Sequence, residues 1–167
     1  MTKTEQKKAK LRVAVAKDVL KQLGENKIKP VRGMFVEWEG GRDLVLGKEL
    51  QPQMDKMGNC RVCNLGALFL STVRLDDKFI CASTWHAGEF DVIPRLRKLF
   101  DPRQLELLEL AFERGKGWAS LRSVDAEGQA ASRMFPRAAL KTRIRSCMEN
   151  IIKNGGTFVV PVKAGAK

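Results

Sequence analysis

"GNCRVCNLGALFL", residues 58–70, is the stretch on which the reading of this chain turns. Cys60 and Cys63 stand three apart between a helix-capping residue, Asn59, and an apolar run. That spacing suits a metal site, a redox pair or the start of a buried helix. Asn59 is a good N-cap, so the stretch predicts a helix beginning near Cys60 and reaching about Leu75, where Asp76-Asp77 ends the apolar segment. On such a helix both thiols lie in the first turn and on nearly one face, where the helix amides and Arg61 favour thiolate.

Thioredoxin-like chemistry wants its cysteine pair after a strand in a βαβ unit. Here a short helix over 48–57, with Pro52 disturbing its boundary, is expected to precede the pair, and the chain shows no strand–helix alternation. Metal binding needs more ligands. Cys81 and His86 supply them as C-x2-C-x17-C-x4-H, close to zinc spacing, and thiolate with imidazole suits tetrahedral zinc. Against this, a helix from Cys63 to Leu75 carries the chain roughly 18 Å away before Cys81 must return. The third reading treats each cysteine as a small buried hydrophobe. Cys63, Ala67, Leu68 and Ser71 then form a close-packed face, Gly66 admits a second backbone, and Cys147 lies beside the core. The expectation is a central buried helix and no cofactor, with zinc on Cys60, Cys63, Cys81 and His86 as the alternative.

Outward from this stretch the pattern is mostly helical. Leu11, Val15, Val19 and Leu23 recur every four residues, so 4–23 predicts an amphipathic helix stopped at Gly24. Residues 31–46 predict a hairpin, with Met34, Val36 and Trp38 on one face and Gly40-Gly41 at the turn. Phe79 to Trp85 predicts a short strand or irregular buried segment, and 90–99 a short helix interrupted by Pro94. In "FDPRQLELLELAFERG", Asp101 is the N-cap, Pro102 takes the first helical position and Gln104 is placed to close a capping box. Residues 116–134 lack a period and predict a loop around Trp118. A last helix starts near Pro136 with Leu140, Ile144, Met148 and Ile151 inward, ends at Gly155-Gly156, and leads into an extended "TFVVPV". These elements predict a single α+β domain over 1–167, mainly α, with a small β-hairpin near 31–46, a helical core over about 60–154 and a short C-terminal extended segment.

Charge is the second strong signal. The net charge is +12 and uneven: residues 1–33 hold 10 basic against 3 acidic side chains, residues 34–113 hold 10 against 13, and residues 114–167 hold 11 against 3. Two basic ends around an acidic middle suit an anionic partner. Lys7, Lys10, Lys17 and Lys21 form one candidate stripe; Arg137, Lys141 and Arg145, at four-residue intervals with Arg143 nearby, form another. Such stripes track phosphates, each contact adding a salt-sensitive increment. Trp118, between Lys116 and Arg122, is placed to stack on a base or anchor a protein interface. No recognition helix, zinc finger or aromatic RNA-binding signature is present, so backbone contacts are expected rather than base reading.

Catalytic signatures are sparse. Glycine loops of the Walker or G-x-G-x-x-G type do not occur, and His86 is the only histidine. Glu106, Glu109 and Glu113 are spaced like an acid/base stripe but fall opposite the leucine face, which predicts a solvated surface. The apolar runs are too short to span a bilayer, and "MTKTEQKKAKLRVAVAKDVL" lacks a signal-peptide core, so a cytoplasmic protein with reduced thiols and no membrane partner is expected.

The phrases "CRVCNLGALFLSTVR", "FDPRQLELLELAFE" and "MENIIKNGGTFVV", in that order, resemble a family of small uncharacterised proteins encoded by phages and prophages, over roughly residues 10–160. The resemblance implies a phage accessory setting in a bacterial host cell and carries no activity, ligand or catalytic residue with it. Three function classes follow. The first is a non-enzymatic accessory or counter-defence protein whose basic surfaces engage nucleic acid or a host nucleoprotein complex. The second is an adaptor or inhibitor of an acidic host protein. The third is a zinc-binding or cysteine-dependent module.

Overall fold

The computed structural model describes residues 1–39, 44–76, 78–80, 83, 86–113 and 125–161. Helices dominate and a small four-stranded sheet accompanies them, so the fold is α+β and mainly α. In chain order the elements are α1 (Lys3–Gly24), β1 (Ile28–Pro30), β2 (Val36–Trp38), β3 (Cys60–Val62), α2 (Asn64–Leu75), β4 (His86–Ala87), α3 (Glu89–Leu96), α4 (Pro102–Glu113), α5 (Ala126–Ser132) and α6 (Leu140–Lys153). A 3-10 turn, Gln51–Lys56, occupies the place of the helix expected over 48–57.

The helix α2 is the axis of the fold. All residues from Asn64 to Val73 are buried, and α1, α3 and α4 pack around it. Gly66 explains how it sits so close to the sheet. A Cβ added there would lie 1.6 Å from the carbonyl oxygen of Phe35, a separation only glycine permits. The helix nevertheless starts later than Asn59 predicts. Cys60–Val62 is a strand, and Cys63 is the N-cap, its Sγ accepting from the Gly66 amide at 3.4 Å. The physical reason is long-range: β3 bonds β1 in parallel and β2 antiparallel, one on each side, and two ladders outweigh one capping bond.

The hairpin expected over 31–46 does not form. The antiparallel partners of β2 are β3 and β4, giving the strand order β1-β3-β2-β4. Residues 44–46 of the expected return strand lie outside the sheet, and the Gly40-Gly41 turn lies outside the described residues. Of the short strand or irregular buried segment expected from Phe79 to Trp85, residues 81, 82, 84 and 85 lie outside the described residues; Phe79 is buried, Ile80 bridges to Glu49 but is exposed, and the strand that follows is His86–Ala87.

Helices α1 and α6 form an antiparallel pair. At one end Lys141 Nζ donates to Asn26 Oδ1 at 3.0 Å; at the other Gly156, with φ +99°, meets the Ala9 carbonyl. The chain reversal after α1 is made by Asn26 in the left-handed region (φ 56°) rather than by Gly24, which is still helical. The last helix begins at Leu140, later than Pro136, and the loop expected over 116–134 contains α5, capped by Asp125 Oδ1 on the Gly128 amide. Residues 157–161 are extended, as expected, and two amide side chains hold them. Gln104 accepts from the Phe158 amide (2.6 Å) and donates to its carbonyl (2.9 Å), while Asn150 does the same for Val159 (2.8 Å each). Gln104 therefore does not close a capping box; only the Asp101 half exists, its Oδ1 accepting from the Gln104 amide at 2.9 Å.

Candidate nucleic-acid interface

On both basic helices the exposed cations stand apart from the buried residues. On α1 the buried residues are Val15, Ala16, Val19, Gln22 and Leu23. At about 100° per residue, Lys7, Lys10, Lys17 and Lys21 fall within an arc of roughly 80° on the opposite side, and all four are exposed. On α6, Ile144, Cys147, Met148 and Ile151 point inward while Lys141 and Arg145 are exposed, as is Arg137 just before the helix. Because α1 and α6 run antiparallel with Asn26 beside Lys141, the C-terminal half of α1 lies level with the first turns of α6. Along the helix axes, the level of Lys17 and Lys21 is thus that of Lys141 and Arg145.

None of Lys7, Lys10, Lys17, Lys21, Arg137, Lys141 and Arg145 takes part in an ion pair among the described residues. Several carboxylates are engaged with other cations. Glu37 pairs with Arg61 at 2.7 Å and Glu39 with Lys29 at 3.1 Å on the outer face of the sheet. Glu106, Asp125 and Glu127 surround Arg103, tying α4 to α5. The one carboxylate of α6, Glu149, is exposed and makes no ion pair among the described residues.

Arg143 leaves the stripe. It is 1% exposed, its Nε donating to the Ala138 carbonyl and its Nη1 to the Phe112 carbonyl, both at 2.9 Å, so it ties α6 to the end of α4. The glutamate stripe of α4 also departs from expectation. Glu113 is buried and accepts from the Gly33 amide at 3.3 Å, because β1–β2 and the 31–35 loop close over that end of the helix. Burial, then the neighbouring Glu113, Glu89 and Glu106, pushes the Glu109 carboxyl up to about 7. Trp118 and Arg122 lie outside the described residues.

The cysteine set is split by the sheet. Along the register Ile28, Cys60 and Trp38 form one row; Lys29, Arg61, Glu37 and His86 form the next. Successive residues of a strand point to opposite faces. Cys60 therefore faces the core and His86 faces outward, two strands apart. Cys63 is buried at the α2 N-cap, Cys81 lies outside the described residues, and the structure does not bring Cys60 and His86 together. Burial pushes the thiols of Cys60, Cys63 and Cys147 up to about 12, against the thiolate that redox chemistry or zinc needs.

No protein-family model matches the chain, and no curated protein or solved structure is significantly similar to it. The site rests on its own geometry.

Sequence reasoning missed the cations of "RLRK", residues 95–98. They sit inside the segment whose net charge is acidic, and averaging hid them. In space Arg97 lines a cavity that also holds Lys8 and Arg12 of α1, and Lys98 lines a second cavity with Lys7 and Lys8. The local signal, three cations in four residues, was there. Among the described residues no helix is long and apolar enough to cross a membrane.

Proposed function

We propose that this protein is a non-enzymatic accessory protein, of a phage-encoded kind, that engages nucleic acid or a nucleoprotein complex in the cytoplasm of a bacterial host. The carrying observation is that Lys7, Lys10, Lys17 and Lys21 of α1, and Lys141 and Arg145 of the neighbouring α6, are exposed without ion-pair partners among the described residues. The lysines of α1 from Lys7 to Lys21 extend over roughly 21 Å at 1.5 Å per residue, a length that faces several successive phosphates of a duplex. Contacts of this kind position a protein on the backbone and read no bases.

The test is anisotropy of a labelled duplex and a labelled single strand across a salt series. Wild-type protein is expected to lose affinity linearly in log salt. A Lys17→Gln, Lys21→Gln, Lys141→Gln, Arg145→Gln variant is expected to flatten that slope by about 0.9 for each duplex phosphate it no longer neutralises. Absence of binding to either nucleic acid at low salt would leave the alternative, an adaptor or inhibitor docking an acidic host protein through the same face. Affinity capture from host lysate with and without nuclease separates the two: a partner retained after nuclease is held by protein contact.

A further inference from the structure

We infer that the cavity between α1, the α3–α4 connection and the turn after α6 is a binding site for a phosphate group borne on a small molecule or a nucleic-acid end. The cavity measures about 340 Å³, and its charged lining comprises Lys8, Arg12 and Arg97 against Glu5 and Asp101. It is distinct from the proposed polyanion surface. Glu5, Lys8 and Arg12 leave α1 on the side of its buried residues, not on the side of Lys7, Lys10, Lys17 and Lys21.

The two carboxylates are already engaged. Glu5 pairs with Lys8 at 3.6 Å, and Asp101 Oδ1 caps α4 by accepting from the Gln104 amide. Arg12 is different. Its Nη1 donates to the Leu99 carbonyl at 2.8 Å, and its guanidinium carbon stands 6.0 Å from the centroid of Phe100. Its Nε is buried with no hydrogen-bond partner. These contacts fix the guanidinium on the cavity wall, and none of them supplies a counter-charge. Arg97 likewise makes no ion pair among the described residues. Holding a partly buried guanidinium without a counter-charge is costly, and a planar fork held by a ring and a carbonyl is pre-organised for an oxyanion. A phosphate fits better than a carboxylate because Arg12 and Arg97, both without an ion pair among the described residues, line the cavity together, and a dianion engages the fork and the second charge at once. The far wall is the turn at Gly156, which only a glycine allows so close to Ala9.

Calorimetric or NMR titration of the full chain tests this, with inorganic phosphate, adenosine monophosphate, adenosine, and one oligonucleotide bearing a 5′-phosphate or a 5′-hydroxyl. Inorganic phosphate and the monophosphate are expected to saturate one site per chain, and adenosine to give no binding. Arg97→Gln is expected to weaken both by about tenfold or more, and Arg12→Lys, which keeps the charge and loses the fork, to weaken them too, each with an unfolding temperature near wild type. If the 5′-phosphorylated oligonucleotide outcompetes both the monophosphate and its 5′-hydroxyl twin, the group belongs to a nucleic-acid end; parity with the monophosphate assigns it to a free nucleotide. No saturation by about 10 mM phosphate, weaker than almost any specific site, overturns the inference. So does equal affinity for adenosine, or a folded Arg97→Gln that binds like wild type. Salt-dependent binding of a 5′-hydroxyl duplex through α1 and α6 is expected to survive Arg97→Gln, so the two sites fail separately.

Discussion

Gly66 shows how much a single residue decides here. The sequence marks it as a place where another backbone could approach, and the Phe35 carbonyl is the group that does so. Gly66→Ala is expected to cost more than about 3 kcal/mol, because the clash is with main chain and no side-chain rotation relieves it; urea unfolding measures it, and an alanine variant of wild-type stability would refute the close approach. The thiols make a second residue-scale prediction. Cys60, Cys63 and Cys147 are buried and held as neutral thiols, so an aromatic disulfide reagent at pH 8 is expected to label no more than one thiol, Cys81, until denaturant is added. Rapid labelling of Cys60→Ser and wild type to different extents in the native state would show instead that Cys60 is open.

At the scale of elements, local signals and distant partners compete. Helices α1, α4 and α6 lie where their apolar periodicity puts them, since amphipathic spacing is carried within the element itself. Strands of three residues carry almost no period, and β1, β2 and β3 exist because each finds a neighbour far away in sequence. The same holds for the extended segment at 157–161. Its backbone is satisfied by Gln104 and Asn150 rather than by a strand, and Phe158 and Val160 are buried beneath it. Gln104→Ala removes both bonds to Phe158 and is expected to cost about 1–2 kcal/mol. Limited proteolysis should then cut near residue 157 faster than in wild type; an unchanged cleavage rate would mean that Asn150 and the buried side chains suffice.

For the whole molecule, a buried carboxyl sets a pH response. Burial raises Glu109 from its ordinary value of 4.5 to about 7, so the folded state binds that proton more tightly than the unfolded chain. The contribution to stability is therefore fully present below about pH 4.5 and is lost as pH rises through 7. Between pH 5 and pH 8 the difference in unfolding temperature between wild type and Glu109→Gln is expected to move in favour of the glutamine variant. About 1 kcal/mol, a discounted figure for a partly exposed group, corresponds to roughly 2–4 °C in a chain of this size. A difference that does not change with pH would mean that Glu109 titrates as an ordinary surface carboxylate.

The sequence alone determined that the fold is mainly helical, that α2 is buried, that Cys147 lies at least beside the core and that the basic excess sits at the two ends of the chain. Each follows from composition or from spacing inside one element. Tertiary structure decided where α2 begins, that Cys60 and His86 face opposite sides of a sheet, that Arg143 turns inward to the Phe112 carbonyl, and that Arg12 and Arg97 line one cavity. Those outcomes depend on which groups a residue finds across space, and a one-dimensional pattern carries no record of neighbours supplied from distant parts of the chain.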